Sequence, residues 1–95
     1  MTRVYEITND TLNVILDKAS ELGLEIDCYE DVLNDNYIIY DVDNKIKIGE
    51  ETCRHIIVRV GFLNEWSSSL TLYMTDSDEV LNRHIEELEE QYKEW

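Results

Sequence analysis

Residues 52–62 read TCRHIIVRVGF. Ile56, Val58, Val60 and Phe62 fall at every second position, and His55, Ile57 and Arg59 fill the places between them. Side chains alternate across a β-strand, so this stretch predicts a strand with one apolar face and one mixed face. Downstream, LNEWSSS (63–69) is expected to form a loop. A second strand, LTLYMT (70–75), then points Leu70, Leu72 and Met74 inward and Thr71, Tyr73 and Thr75 outward. Upstream, NYIIYDV (36–42) and KIKIG (45–49) flank Asp43 and Asn44, a turn pair that reads as a hairpin. LEIDCYEDVLND (24–35) supports two readings. Leu24, Ile26 and Cys28 alternate as in a strand, whereas Tyr29, Val32 and Leu33 fit one helical turn. TRVYEIT (2–8) alternates as well, with Val4 and Glu6 opposite Arg3, Tyr5 and Ile7, and reads as an edge strand or a frayed lead-in.

Helices enclose these strands. In TLNVILDKASELG (11–23), Leu12, Ile15, Leu16, Ala19 and Leu22 recur at helical spacing. Thr8, Asn9 and Asp10 supply cap side chains before it, and Gly23 is the expected left-handed stop. At the other end, Leu81, Ile85, Leu88, Tyr92 and Trp95 form one apolar stripe. Thr75, Asp76 or Ser77 can cap that helix, and Asp78 and Glu79 suit its first turn, where the dipole is positive. The expected fold is a single α+β domain over residues 1–95. It is an antiparallel sheet of about four strands with the helices packed on one face, a two-layer arrangement.

The chain is 95 residues long and 43% hydrophobic, with two Trp, six Tyr and one Phe, which suits a folded domain with one modest core. It has no proline to mark a linker. No apolar run approaches the roughly 20 residues that span a bilayer. The start, MTRVYEITND, carries no apolar signal region. The expectation is a cytoplasmic protein without membrane association. Two cysteines, Cys28 and Cys53, are too few for a disulfide framework and read as small core or half-core residues.

Twenty-two acidic residues against eight basic ones give a formal charge of −14, which repels nucleic acid and anionic membranes and attracts basic surfaces. The dispersed Lys and Arg residues argue against direct nucleic-acid binding. Catalytic and metal readings find little to stand on. His55 and His84 lie on different elements, and no spacing pairs either with a cysteine nucleophile. There is no glycine-rich phosphate loop and no Cys-x-x-Cys or His-x-x-x-His zinc spacing. Asp41, Asp43 and Asn44 open like a calcium loop but lack its sixth-position glycine and twelfth-position glutamate, so they read as a turn. The expected protein is non-enzymatic, with no metal and no cofactor.

The acid is segregated. Nine carboxylates lie between residues 25 and 51, eight lie between residues 76 and 95, and residues 52–75 contain only Glu65. On the closing helix Glu86, Glu87, Glu90 and Glu94 lie off the apolar stripe. Glu86, Glu90 and Glu94 make an i, i+4 row without an intervening cation. A solvated face is the plain reading of such a row. The alternative is a surface that stands in for backbone phosphates, anchored by exposed aromatics such as Trp66. The candidate partner-binding residues are therefore Glu86, Glu87, Glu90 and Glu94, with Asp27, Glu30, Asp31 and Asp35 as the second group and Trp66 beside them.

In organisation the chain resembles the small acidic inhibitors encoded by phages and other mobile elements, including anti-CRISPR proteins and DNA mimics. The likeness is carried by a leading helix (TLNVILDKASELG), a short antiparallel sheet (NYIIYDV, RHIIVRVGF, LTLYMT) and an acidic closing helix (DEVLNRHIEELEEQYKEW), and it covers most of the chain. It implies a cytoplasmic inhibitor, acting in a host bacterial cell, that occupies the nucleic-acid site of a basic partner such as a CRISPR effector or another nuclease. Small nuclease-immunity proteins and antitoxins share this organisation. A homodimer formed through a sheet edge or the 81–95 seam is a further alternative.

Overall fold

A computed structural model describes residues 2–30, 35–64 and 67–92. They form β1 (Arg3–Ile7), α1 (Asn9–Glu21), β2 (Glu25–Tyr29), β3 (Asn36–Tyr40), β4 (His55–Asn64), β5 (Ser67–Thr75) and α2 (Asp78–Tyr92). The strands make one open antiparallel sheet in the order β1-β5-β4-β3-β2. The α+β class and the antiparallel sheet are as expected. The sheet has five strands, because both ambiguous segments, residues 3–7 and 25–29, pair as edge strands.

Consecutive isoleucines explain the layering. Ile38 and Ile39 on β3, and Ile56 and Ile57 on β4, are all fully buried. Neighbours on a strand point to opposite faces, so such doublets require cover on both sides of the sheet. One face carries Ile39, Ile56, Val58, Leu70, Leu72 and Met74 and is covered by Leu12, Ile15 and Ala19 of α1, with Ile46 and Cys53 closing one end. The other face carries Ile38 and Ile57, flanked by Tyr29, Tyr40 and Tyr73, and is covered by Leu81, Ile85 and Leu88 of α2. The helices are therefore divided between the two faces rather than sharing one, and the domain has three layers. Tyr73 and Thr75, expected to point outward, lie on the face that α2 covers, and Thr75 is fully buried.

The helix ends follow from local chemistry. Thr8 caps α1, its Oγ1 accepting from the Thr11 N–H at 3.2 Å. At the other end Gly23 takes φ +68°, and the N–H groups of Leu24 and Gly23 reach back to the carbonyls of Ala19 and Ser20. This is the Schellman arrangement, which a residue with a Cβ adopts only under strain. Ser77 caps α2 through the Val80 N–H at 3.2 Å, and Thr75 Oγ1 in turn accepts from the Ser77 N–H.

Two expected connections differ. KIKIG is not a hairpin strand. Asp41 is fully buried at the end of β3, and its carboxylate accepts from the N–H groups of Lys45 and Ile46. With Asn44 at φ +55°, this curls residues 41–46 into a turn and sends Ile46 into the core. β3 instead pairs with β4 on one side and β2 on the other. LNEWSSS is mostly strand, since Asn64 pairs with Ser67 at the tip of a long β4–β5 hairpin.

Candidate partner-binding surface

β2 lies at one edge of the sheet, and its alternation puts Glu25, Asp27 and Tyr29 on the face that α2 covers. α2 packs Leu88 and Ile85 beside Tyr29 and Tyr40. Asp27 accepts a hydrogen bond from the Tyr40 hydroxyl at 2.9 Å. Burial and this bond to Asp27, reinforced by the charge of Glu25, hold the Tyr40 phenol far above its ordinary value. Tyr29 is pushed up by burial first, then by the charges of Asp27 on its own strand and Glu89 on α2. Carboxylates from the two acidic groups of the sequence thus meet across one tyrosine. Glu25 and Glu89 join the surface, although sequence spacing alone does not single them out.

Along α2, Glu86, Glu89 and Glu90 are exposed, and none of them makes an ion pair among the described residues. Glu86 and Glu90 are one turn apart, a charge about every 6 Å along the axis. They lie in the C-terminal half of the helix, where the backbone dipole is negative, and the last turn contains no basic residue. Each like-charge pair costs about 0.2–0.5 kcal/mol and each misplaced terminal charge about 0.3–1 kcal/mol. Local helix stability therefore does not explain this row.

The other candidate residues divide. Glu87 turns toward the sheet, where Oε2 is 3.2 Å from Arg59 Nη1, so its charge is already matched. Glu30 is exposed just beyond β2. Asp35 accepts from the Tyr37 hydroxyl at 3.4 Å, and Tyr37 packs on the α1 side, away from α2. Asp27 is half-buried and held by Tyr40. Asp31, Trp66 and Glu94 lie outside the described residues, as do Val32, Leu33 and Trp95.

Other reactive groups are placed apart from this surface. Burial pushes the thiol of Cys53 up to about 11 and also raises that of Cys28, where Asp35 adds to the shift, so both are protonated at neutral pH. Cys28 is exposed on β2, contrary to its expected half-core place. His55 is buried under the start of α2, with Nε2 2.8 Å from Asp78 Oδ1. That hydrogen bond, helped by Arg54, holds the Asp78 carboxyl below its ordinary value. Among the described residues no group of three or more His, Cys, Asp and Glu side chains converges as a metal site, and no helix is long and apolar enough to cross a membrane. No protein-family model, curated protein or solved structure matches the chain.

Proposed function

We propose that this protein is a non-enzymatic inhibitor whose acidic α2–β2 face binds the basic nucleic-acid-binding surface of a bacterial defence nuclease, such as a CRISPR effector, in the host cytoplasm. The observation that carries the reading is the exposed Glu86, Glu89 and Glu90 on α2, which make no ion pair among the described residues, with the charge of Glu89 reaching Tyr29 of β2 alongside that of Asp27. Such a row costs the free protein stability, and a basic partner would supply the cations it lacks. Tyr29 and Tyr40 add aromatic area between the acids, and tyrosine is favoured at interface centres.

The test is competition. Titrated into CRISPR effectors and toxin nucleases holding labelled DNA, the protein should displace the DNA from its target, with an affinity that falls as salt rises. The variant Glu86→Lys/Glu90→Lys/Glu94→Lys should fold and lose binding, since each lost pair becomes a like-charge contact. Binding indifferent to salt, or undiminished in that variant, would remove the mimicry reading. Displacement from a toxin nuclease alone would make the protein an immunity protein. A homodimer is favoured by a separate observation: β1 is an edge strand with Val4 and Tyr5 exposed. Sedimentation over a range of concentrations decides that point.

A further inference from the structure

We propose that a cleft beside α2 binds a small organic oxyanion, a molecule carrying one carboxylate or phosphate group. The cleft, about 500 Å³, lies between α2 and the β4–β5 hairpin and is lined by Arg59, Gly61, Thr71, Tyr73, Arg83 and His84. Its size falls within the roughly 300–1,000 Å³ of small-molecule sites.

Its charge runs against the rest of the protein. Two arginines face one carboxylate, Glu87, in a chain whose formal charge is −14. Arg59 Nη1 is 3.0 Å from His84 Nδ1 and 3.2 Å from Glu87 Oε2, while its buried Nε has no hydrogen-bond partner among the described residues. A guanidinium donates and cannot accept, so the neutral His84 ring accepts at Nδ1 and carries its proton on Nε2. Burial, and then the Arg59 charge, lower the His84 pKa and favour that neutral form. Arg83 is mostly exposed and only loosely paired with Glu79, at 3.8 Å, which leaves it free to turn inward.

Glu87 shows how an oxyanion sits here. Its carboxylate is half-exposed at the rim and already occupies one arm of the Arg59 fork. An incoming carboxylate or phosphate would take that place as Glu87 swings to solvent, gaining bidentate geometry that the helix-bound Glu87 does not reach. Gly61 shares the Arg59 face of β4, and its missing side chain keeps the floor open. Among the described residues a Cβ there would meet only Ser69 Oγ, at 3.4 Å. The overall charge repels polyanions, so the ligand is compact and singly functionalised rather than a nucleic acid.

The experiment is amide NMR of the full chain titrated with phenyl phosphate, benzoate and, as a neutral control, benzamide. Phenyl phosphate or benzoate should shift the Gly61, Thr71 and His84 amides saturably, while benzamide does not. Glu87→Gln, which removes the internal competitor, should tighten Kd several-fold. Gly61→Val should abolish the shifts in a spectrum that stays dispersed. Non-saturating shifts, shifts centred on Lys18, Lys45 and Lys47, an equal response to benzamide, or weaker binding in Glu87→Gln would each overturn the proposal.

Discussion

Asp41 directs both carboxylate oxygens at backbone, accepting from Lys45 at 2.9 Å and Ile46 at 2.7 Å while fully buried. Asp41→Ala leaves two N–H groups unmatched and releases the turn that seats Ile46. Urea unfolding should register a loss of about 2–4 kcal/mol, with Asp41→Asn in between because one acceptor remains. The turn itself was readable from Asp41, Asp43 and Asn44. The alternation of KIKIG suggests a strand because it cannot show that a side chain four or five residues back captures the backbone N–H groups. His84 gives a second residue-scale prediction. Its folded pKa lies below the ordinary 6.5, first through burial and then through Arg59, with Arg83 adding to the lowering and Glu87 opposing it. The unfolded chain therefore binds the proton more readily. The stabilising contribution is complete above the unfolded value and is lost as pH falls through the folded one. Thermal melts should show part of the stability lost on acidification from neutral pH, and a flatter profile in His84→Asn.

The face of α2 that meets the sheet and the face that meets solvent separate by substitution. Leu88 is fully buried against Ile38 and Ile57, so Leu88→Ala should cost on the order of 2–5 kcal/mol in chemical denaturation. Glu86→Lys/Glu90→Lys should do the opposite, raising the melting temperature by removing like-charge pairs and placing cations near the helix C-terminus, for a gain of about 0.5–2 kcal/mol. A loss of stability there would mean that the two glutamates have a structural role. The helix, a cap among Thr75, Asp76 and Ser77, and the inward stripe of Leu81, Ile85 and Leu88 were legible because spacing and capping are local. That both faces of the sheet need cover was also written, in the doublets Ile38-Ile39 and Ile56-Ile57, but it takes two neighbouring strands to read it. The acidic surface was legible only by halves. Glu86 and Glu90 stand out on α2. That the charges of Asp27 and Glu89 both reach Tyr29 depends on β2 being the edge strand next to β3, a long-range pairing that no local pattern encodes.

Over the whole molecule, charge repulsion acts across a body whose radius of gyration is 12.9 Å. The screening length is about 30 Å at 0.01 M salt and about 8 Å at 0.15 M, so at low salt every carboxylate senses every other. Thermal stability should rise as sodium chloride is added over this range, while affinity for a basic partner falls. Parallel trends in the two measurements would contradict the shared electrostatic origin. The open sheet carries one more consequence, in the domain of aggregation. Its outermost strands, β1 and β2, leave main-chain donors and acceptors available to other chains. Along β2 the guard against such templating is the charge of the alternating Glu25 and Asp27. Glu25→Gln/Asp27→Asn withdraws that guard while keeping the size of both side chains. Incubation of that variant should yield thioflavin-positive fibrils growing from the β2 edge. Glu25→Lys/Asp27→Lys, which keeps a charge at both places, should not form them.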